Sequence, residues 1–407
     1  MRAIFEKAIS EASKMKKLSK EEAEVLKDVD QACEELVLSE FESYLARRYN
    51  DEVPKALTRH KVMGLPIEKR YGGRGIGTFA HALAMERFGQ LSLGVATFVD
   101  VHQFLGSLTV QEWGNEEMKS KLLPLFASGK GIMAYALTEP EAGSDPASLR
   151  STYRKEGGRY YIRGEKYLIS NGSIASHIVV FARNREESSS ITAFLVQTEK
   201  RGFSVDMRLT EKPGLFTSDT SLLSFDDVEV DSSSILGKEG KGLHVAYSAL
   251  LNGRIGIASA CLGVMEDCLE QVMERVKNRV QHGKEIARHQ LVQKHIAKMA
   301  SSIESSRWLV LASAIKKQEY DMAKNDISLR EEADRYSAIA KYVASRSAFE
   351  VADSSLQLFG GFGYNIMSPV TKHFLDTRVA RIYEGTDEIM ELKIASSILG
   401  RDYEAYK

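Results

Sequence analysis

Three short segments carry residues whose types and spacing suit chemistry. The first runs Tyr135-Ala136-Leu137-Thr138-Glu139-Pro140-Glu141-Ala142-Gly143-Ser144-Asp145-Pro146. Proline and glycine punctuate it as a turn, and its Thr, Ser and Asp side chains offer hydrogen bonds. The second, Gln357-Leu358-Phe359-Gly360-Gly361-Phe362-Gly363-Tyr364, reads as the end of a helix stopped by glycines. The third, Arg381-Ile382-Tyr383-Glu384-Gly385-Thr386-Asp387-Glu388-Ile389, sets the carboxylate of Glu384 between a tyrosine and a glycine. A carboxylate taken out of water has a raised pKa and becomes a base suited to neutral pH. On residue type alone a glutamate is a solvated surface group. Thr386 with Asp387 and Glu388 also reads as a helix N-cap followed by two acids on the helix dipole.

Other chemistry finds less support. Gly75-Ile76-Gly77-Thr78-Phe79-Ala80 fits a loose dinucleotide pattern, but Glu68-Lys69-Arg70-Tyr71-Gly72 before it is no buried strand, so the segment reads as a loop. No phosphate-binding G-x-x-x-x-G-K-[ST] occurs. His282, His289 and His295 lack the spacing of a metal pair, and no metal site is assigned.

The elements that must position these segments fall into three blocks, placed at residues 1–131, 132–240 and 241–407. The first is helical. Ser19-Lys20-Glu21-Glu22 has capping-box spacing and opens a helix with Val25, Leu26, Val29, Cys33 and Leu36 on one side. Helical texture returns from Phe79 to about Phe126. The middle block is rich in strands: Tyr160–Ile162 and Tyr167–Ile169 flank Gly164 as a hairpin would, and 178–181, 191–196, 203–205 and 221–230 follow. No helix separates them, which predicts an antiparallel sheet or barrel. The last block repeats a three-four apolar spacing, as in Ile255, Ala258, Leu262, Met265, Leu269, Val272 and Val276. A narrow stripe on successive long helices predicts an antiparallel four-helix bundle. The predicted fold is mainly α with a central β domain.

Composition sets the partner class. Hydrophobic residues make up 43% and charged residues 27% of the 407 positions, ordinary for a globular protein. The net charge of −1 gives no support to nucleic acid or an anionic membrane as partner. No apolar run approaches the roughly 20 residues of a membrane span. Three cysteines, Cys33, Cys261 and Cys268, match no zinc pattern, and an N-terminus carrying Glu6 and Glu11 resembles neither signal nor transit peptide. The expected compartment is cytoplasmic.

All three segments, in this order on a helix–sheet–helix chain, resemble the acyl-CoA dehydrogenase family, from about Leu18 onward. T-E-P-x-x-G-S-D and Q-x-F-G-G-x-G-Y are both family signatures, and Phe225-Asp226-Asp227-Val228-Glu229-Val230 followed by Leu236-Gly237-Lys238-Glu239-Gly240-Lys241-Gly242 resembles the family's exit from its β domain. The resemblance implies FAD. Tyr135, Leu137, Thr138, Gly143 and Ser144 would line flavin and substrate, and Leu168, Ile169 and Ser170 would supply a second flavin-contacting strand. Arg279, Gln290, Gln357, Gly360 and Gly361 would hold the ADP half, some of them in a neighbouring subunit of a dimer of dimers. Thr386 and Glu388 would add FAD contacts, and Asn252, Arg254, Ser144 and Gly385 would contact substrate.

The implied reaction is α,β-dehydrogenation of an acyl-CoA to its trans-2-enoyl-CoA, part of fatty-acid β-oxidation, with electrons passed to an electron-transferring flavoprotein. Glu384 would take the α-proton. Some relatives carry the base on the helix of Arg254, where this chain has Gly253. Alternatives within the fold are an oxidase that uses oxygen and a flavin-bearing protein without catalysis. Several positions depart from the family pattern: Leu168 replaces a tryptophan beside the flavin, His282 a phenylalanine near the adenine, Met367 an acid and Phe216 an arginine. Leu93 stands where the glutaryl-CoA branch places an arginine, which implies an uncharged acyl chain.

Overall fold

The computed structural model describes residues 2–187, 189–323 and 326–403. Its helical first block comprises α1 (Arg2–Met15), α2 (Lys20–Leu45), α3 (Glu52–Arg59), α4 (Thr78–Leu91), α5 (Leu93–Asp100), α6 (Leu108–Trp113) and α7 (Glu116–Ala127). The capping box forms as read: Ser19 Oγ accepts from the Glu22 N–H at 3.1 Å, and Glu22 Oε2 accepts from the Ser19 N–H at 2.8 Å. Between α5 and α6 the chain winds as a π-helix over Val101–Ser107. Such wide turns are rare and concentrate at functional sites.

The sheet contains β1 (Met133–Ala136), β2 (Thr152–Glu156), β3 (Arg159–Ser170), β4 (His177–Asn184), β5 (Ile191–Gln197), β6 (Phe203–Arg208), β7 (Thr220–Asp231) and β8 (Ile235–Leu236). Strand order is β6-β7-β3-β2-β4-β5-β8, with β1 beside β4. The pairing is not wholly antiparallel as expected, because β4 runs parallel to both β1 and β2. The chain between these partners is long enough for a crossover, which parallel pairing requires.

A second expectation also fails. Tyr160–Ile162 and Tyr167–Ile169 belong to one strand, β3, and Gly164 is not a hairpin turn. Gly164 sits at φ +147°, and a Cβ there would lie 2.3 Å from Ser151 Oγ. The glycine therefore serves close approach at a register shift in the β3–β7 ladder. The hairpin turn lies earlier, at Gly157 and Gly158, both with positive φ.

The last block packs α8 (Gly242–Asn278), α9 (Gln290–Met322), α10 (Ile327–Phe359) and α11 (Pro369–Ala380) as a bundle, with α12 (Asp387–Leu399) against α10. Helix α8 does not show the narrow stripe expected of it. It is buried on every face from Leu251 to Cys268, because α4, α5, α9, α10, α11 and β5 all pack on it. This helix and the stretch Leu93–Trp113 are long and apolar enough to cross a membrane, contrary to the sequence expectation. Their apolar windows are 94% (Leu93–Trp113) and 89% (α8) buried inside the fold, so that surface already serves as core.

Two glycines bring α4 and α8 to backbone contact. A Cβ at Gly263 would lie 1.9 Å from the Glu86 carbonyl oxygen, and one at Gly89 would lie 2.1 Å from that of Ala260. Near the crossing, Arg307 of α9 joins Glu86 of α4 and Glu266 of α8, and Gln90 donates to Glu266 at 2.7 Å. Neither backbone can yield to a methyl group, so Gly263→Ala is expected to destabilise the fold by about 1–3 kcal/mol despite alanine's better helix propensity. Urea unfolding followed by far-UV circular dichroism checks this; an unchanged or raised midpoint would refute the close crossing.

Candidate active site

One cavity gathers much of the expected site. Tyr135, Leu137, Thr138, Leu168, Ile169, Ser170 and Glu384 line it, together with Thr97, Asp100, Val101, Leu105, Leu250, Ile257 and Tyr383. Strand β1 delivers the first group. His102 anchors its start, accepting from the Met133 N–H at 3.1 Å through Nδ1 while Nε2 faces the Phe126 carbonyl at 3.3 Å. The next residues are fixed by Glu139. Its carboxylate accepts from the Arg150 N–H (2.5 Å), the Ser151 N–H (3.0 Å) and Lys166 Nζ (2.7 Å). Lys166 is fully buried on β3 and also donates to the Leu137 carbonyl at 3.2 Å. Burial pushes the Lys166 ammonium down to about 8, against the pull of Glu139. Burial alone would raise the Glu139 carboxyl, but Lys166 and its other donors hold it low. The pair thus ties the first segment to the sheet.

Leu168 stands at a second register shift, between Lys166 and Ile169. Its φ is +58° and it is 52% exposed at the cavity. A large apolar side chain in a left-handed backbone and facing outward is uncommon, and such outliers cluster at functional sites. Thr138 and Ser170 beside it make no side-chain hydrogen bond among the described residues. An open apolar wall with two free hydroxyls fits a flat, polar-edged ring system such as a flavin, although the aromatic wall of the family is missing.

The Glu384 loop joins α11 to α12. Thr386 caps α12, accepting from the Ile389 N–H at 3.3 Å, and Arg381 holds Asp387 at 2.7 Å. Two cations grip the loop's carbonyls: Arg254 Nε of α8 donates to Glu384 O at 3.3 Å, and Lys341 Nζ of α10 donates to Gly385 O. Glu384 has φ +54° and Gly385 φ +106°. This left-handed turn presses the carboxylate onto α8 at Gly253, where a Cβ would lie 2.3 Å from Oε2. Part of the residue reaches solvent, but Oε2 does not. Burial raises the Glu384 carboxyl above its usual range, and Asp100, Arg254 and Lys341 offset part of that rise.

Asp100, which sequence reasoning passed over, ends α5 beside Glu384, with both carboxyl oxygens buried. Its signal was the single acid in the mostly apolar stretch from Leu93 to Leu105. Lys166 was legible only as a strand lysine.

The remaining expected residues lie elsewhere. Gly143 and Ser144 are exposed on the loop after β1. Asn252 is buried on α8 and its amide has no partner among the described residues. Arg254 is committed to Glu384 O and to Asp334. Arg279 lines a surface groove with Arg275, Phe359 and Phe362, separate from the cavity. Gln357, Gly360 and Gly361 are exposed beside it, and nothing stands within 4 Å of a Cβ built at either glycine. Gln290 opens α9 and Glu388 the first turn of α12, both exposed. His282 and Met367 are exposed; Phe216 is buried against Tyr44 with Arg47 over its ring. Leu93 is fully buried at the start of α5, away from the cavity lining.

Comparison with known proteins agrees with this architecture. Family models for the acyl-CoA dehydrogenase N-terminal, middle and C-terminal domains match residues 19–130, 134–228 and 240–399. The acyl-CoA dehydrogenase of Bacillus subtilis (strain 168) is 38% identical over 356 residues, 86% of this chain and 91% of the relative. The butyryl-CoA dehydrogenase structure from Megasphaera elsdenii superposes with a TM-score of 0.88 at 32% identity, covering 94% of this chain and 99% of that one. An acyl-CoA dehydrogenase complexed with FAD, from Bacillus anthracis, gives 0.88 at 28% identity over 94% of this chain and 68% of that one. The chain belongs to the acyl-CoA dehydrogenase family and is an oxidoreductase of that class.

The contact at Gly253 gives a direct test. A methyl group there competes for the space of the Glu384 carboxylate, yet alanine suits a helix better than glycine by about 1 kcal/mol. Gly253→Ala is expected to keep or raise the melting temperature while acyl-CoA oxidation falls at least tenfold. Loss of activity and stability together would point to a packing role instead.

Proposed function

We propose that this protein is an FAD-dependent dehydrogenase that converts an uncharged acyl-CoA thioester to the trans-2-enoyl-CoA, with Glu384 as the base for the α-proton. The observation that carries the reading is a carboxyl raised by burial and seated on Gly253 of α8, in the cavity lined by Tyr135, Leu137 and Thr138 of the first segment. When bound, FAD supplies the acceptor for the substrate's β-hydride.

The chain's own residues account for the proton. An α-proton beside a thioester is weakly acidic, so the carbonyl oxygen needs donors as negative charge develops on it. The Glu384 N–H has no acceptor among the described residues, while its carbonyl and that of Gly385 are taken by Arg254 and Lys341. It is therefore available to the thioester oxygen. Tyr383, Leu105, Leu250 and Ile257 line the cavity around the carboxylate, and burial among them keeps its basicity raised. Leu137, Thr138, Leu168, Ile169 and Ser170 would hold the flavin, and Arg279, Gln357, Gly360 and Gly361 its adenine half. The exposed apolar residues Phe362, Tyr364, Ile366 and Met367 beside those glycines favour a second subunit there. Electrons leave to an electron-transferring flavoprotein.

Anaerobic titration with acyl-CoAs of varied length, following flavin bleaching, tests the reaction, and admission of air to the bleached protein separates dehydrogenase from oxidase. Glu384→Gln is expected to bind acyl-CoA but to bleach roughly 10²- to 10⁴-fold more slowly, the span of a lost general base. Bleaching at a near wild-type rate would remove Glu384 from the role.

A further inference from the structure

We infer that Asp100 is the positioning partner of the base: as a carboxylic acid it donates a hydrogen bond to the Glu384 carboxylate, so that two buried carboxyls hold one proton between them until the substrate's α-proton arrives. The inference rests on Glu384 being the base.

Space has been cleared for both groups on one face of α8. Gly253 and Gly256 are three residues apart and so are neighbours on the helix surface. A Cβ at Gly253 would lie 2.3 Å from Glu384 Oε2, and one at Gly256 would lie 2.0 Å from Asp100 Oδ1. Glycine inside a helix costs about 1 kcal/mol relative to alanine, and here each one admits a carboxyl. Glu384 Oε2 and Asp100 Oδ1 therefore sit over neighbouring positions of α8, and neither has a donor among the described residues. A hydrogen bond between two carboxyls requires a proton on one of them.

The surroundings decide which one holds it. Among the described residues no lysine, arginine or backbone N–H pairs with either oxygen of Asp100. The π-helical Val101–Ser107 follows it directly; its Leu105 lines the same cavity and its Phe104 flanks Gly256. The cations of the site face Glu384 instead: Arg254 on α8 and Lys341 on α10 both hold the Glu384–Gly385 backbone and favour a negative charge on Glu384. The other titratable neighbours are Tyr135 on β1, Tyr383 in the loop and Cys261 on α8, which add no positive charge. Burial, followed by the charge of Glu384, pushes the Asp100 carboxyl well above the usual range. Like charges in one dry site separate in this way, one carboxyl neutral and the other ionised.

Two consequences follow for the reaction. The donated hydrogen bond fixes the orientation of the base and opposes the rise that burial imposes on it, which favours the ionised form of Glu384. When Glu384 then takes the α-proton, the pair passes from one proton and one negative charge to two protons and none. No uncompensated charge remains in the cavity beside the enoyl product.

The test compares wild type, Asp100→Asn and Asp100→Ala as FAD-loaded proteins. Without a donor, the Glu384 carboxyl must rise. The acid limb of the rate of flavin bleaching at saturating acyl-CoA is therefore expected to move up by about one pH unit in Asp100→Ala, which is a tenfold loss on that limb. The rate recovers at high pH. Asp100→Asn keeps an N–H donor and is expected to hold the wild-type acid limb. Infrared difference spectra of substrate-free protein at neutral pH should show a protonated-carboxylic-acid band in wild type and Glu384→Gln that is missing in Asp100→Asn. An unmoved acid limb in Asp100→Ala, or no such band in wild type, overturns the inference. Should no acyl-CoA bleach any variant, the dehydrogenase reading fails, and the infrared band alone still decides the state of Asp100.

Discussion

The structure depends on how closely other elements approach the backbone of α8. Along this helix Gly253, Gly256 and Gly263 each remove a side chain where something else must sit: the Glu384 carboxylate, the Asp100 carboxyl and the backbone of α4. Interior glycines weaken a helix by about 1 kcal/mol each. Burial on all faces offsets that loss, since α8 lies in the main apolar core from Leu251 to Cys268. The packing that stabilises the fold and the vacancy that admits the Glu384 carboxylate are therefore properties of the same surface. The neighbouring Arg254 then reaches across to the carbonyl of the residue whose side chain Gly253 accommodates.

A buried polar cluster sets where α5, and so Asp100, arrives. Glu40 of α2 accepts from Ser92 Oγ (2.5 Å), Thr217 Oγ1 (2.6 Å) and Asn50 Nδ2 (2.9 Å). Lys372 of α11 lies 3.3 Å from the same carboxylate and 2.9 Å from Asp376, which accepts from the Leu215 N–H. Ser92 is also the N-cap of α5. One cluster thus spans the first helical block, the sheet and the bundle. Burying such charges adds little net stability, but removing one member strands the others. The cluster fixes relative position, and α5 starts from it.

Much of this was legible because local chemistry and global fold agree. Ser19 and Glu22 cap a helix wherever they occur with that spacing, and the signatures around Thr138, Gly360 and Glu384 are contiguous in the chain. What escaped the sequence is long-range. Gly164 looked like a turn because glycine serves both turns and close approaches, and only Ser151 across the sheet distinguishes them. The apparent stripe on α8 disappeared because partners cover it on every side, whereas periodicity reports one. Asp100 and Lys166 carry no local pattern that marks them, since Glu384 and Glu139 lie 284 and 27 residues away in sequence.

The left-handed loop suits the role proposed for Glu384 better than a helical position would. A helical residue has its N–H committed within the helix, whereas Glu384 at φ +54° leaves its own N–H without an acceptor among the described residues. Its carbonyl and that of Gly385 are taken by Arg254 and Lys341. The peptide is thereby held with its donor free, and the two cations lend positive potential on the side of the carbonyls. One residue can then offer a proton acceptor through its side chain and a hydrogen-bond donor through its backbone to neighbouring atoms of a thioester. The strain of a non-glycine residue in that region, of order 1–3 kcal/mol, is sustained by the grip of α8 and α10 on either side. Gly253 completes the arrangement by leaving the position on α8 empty.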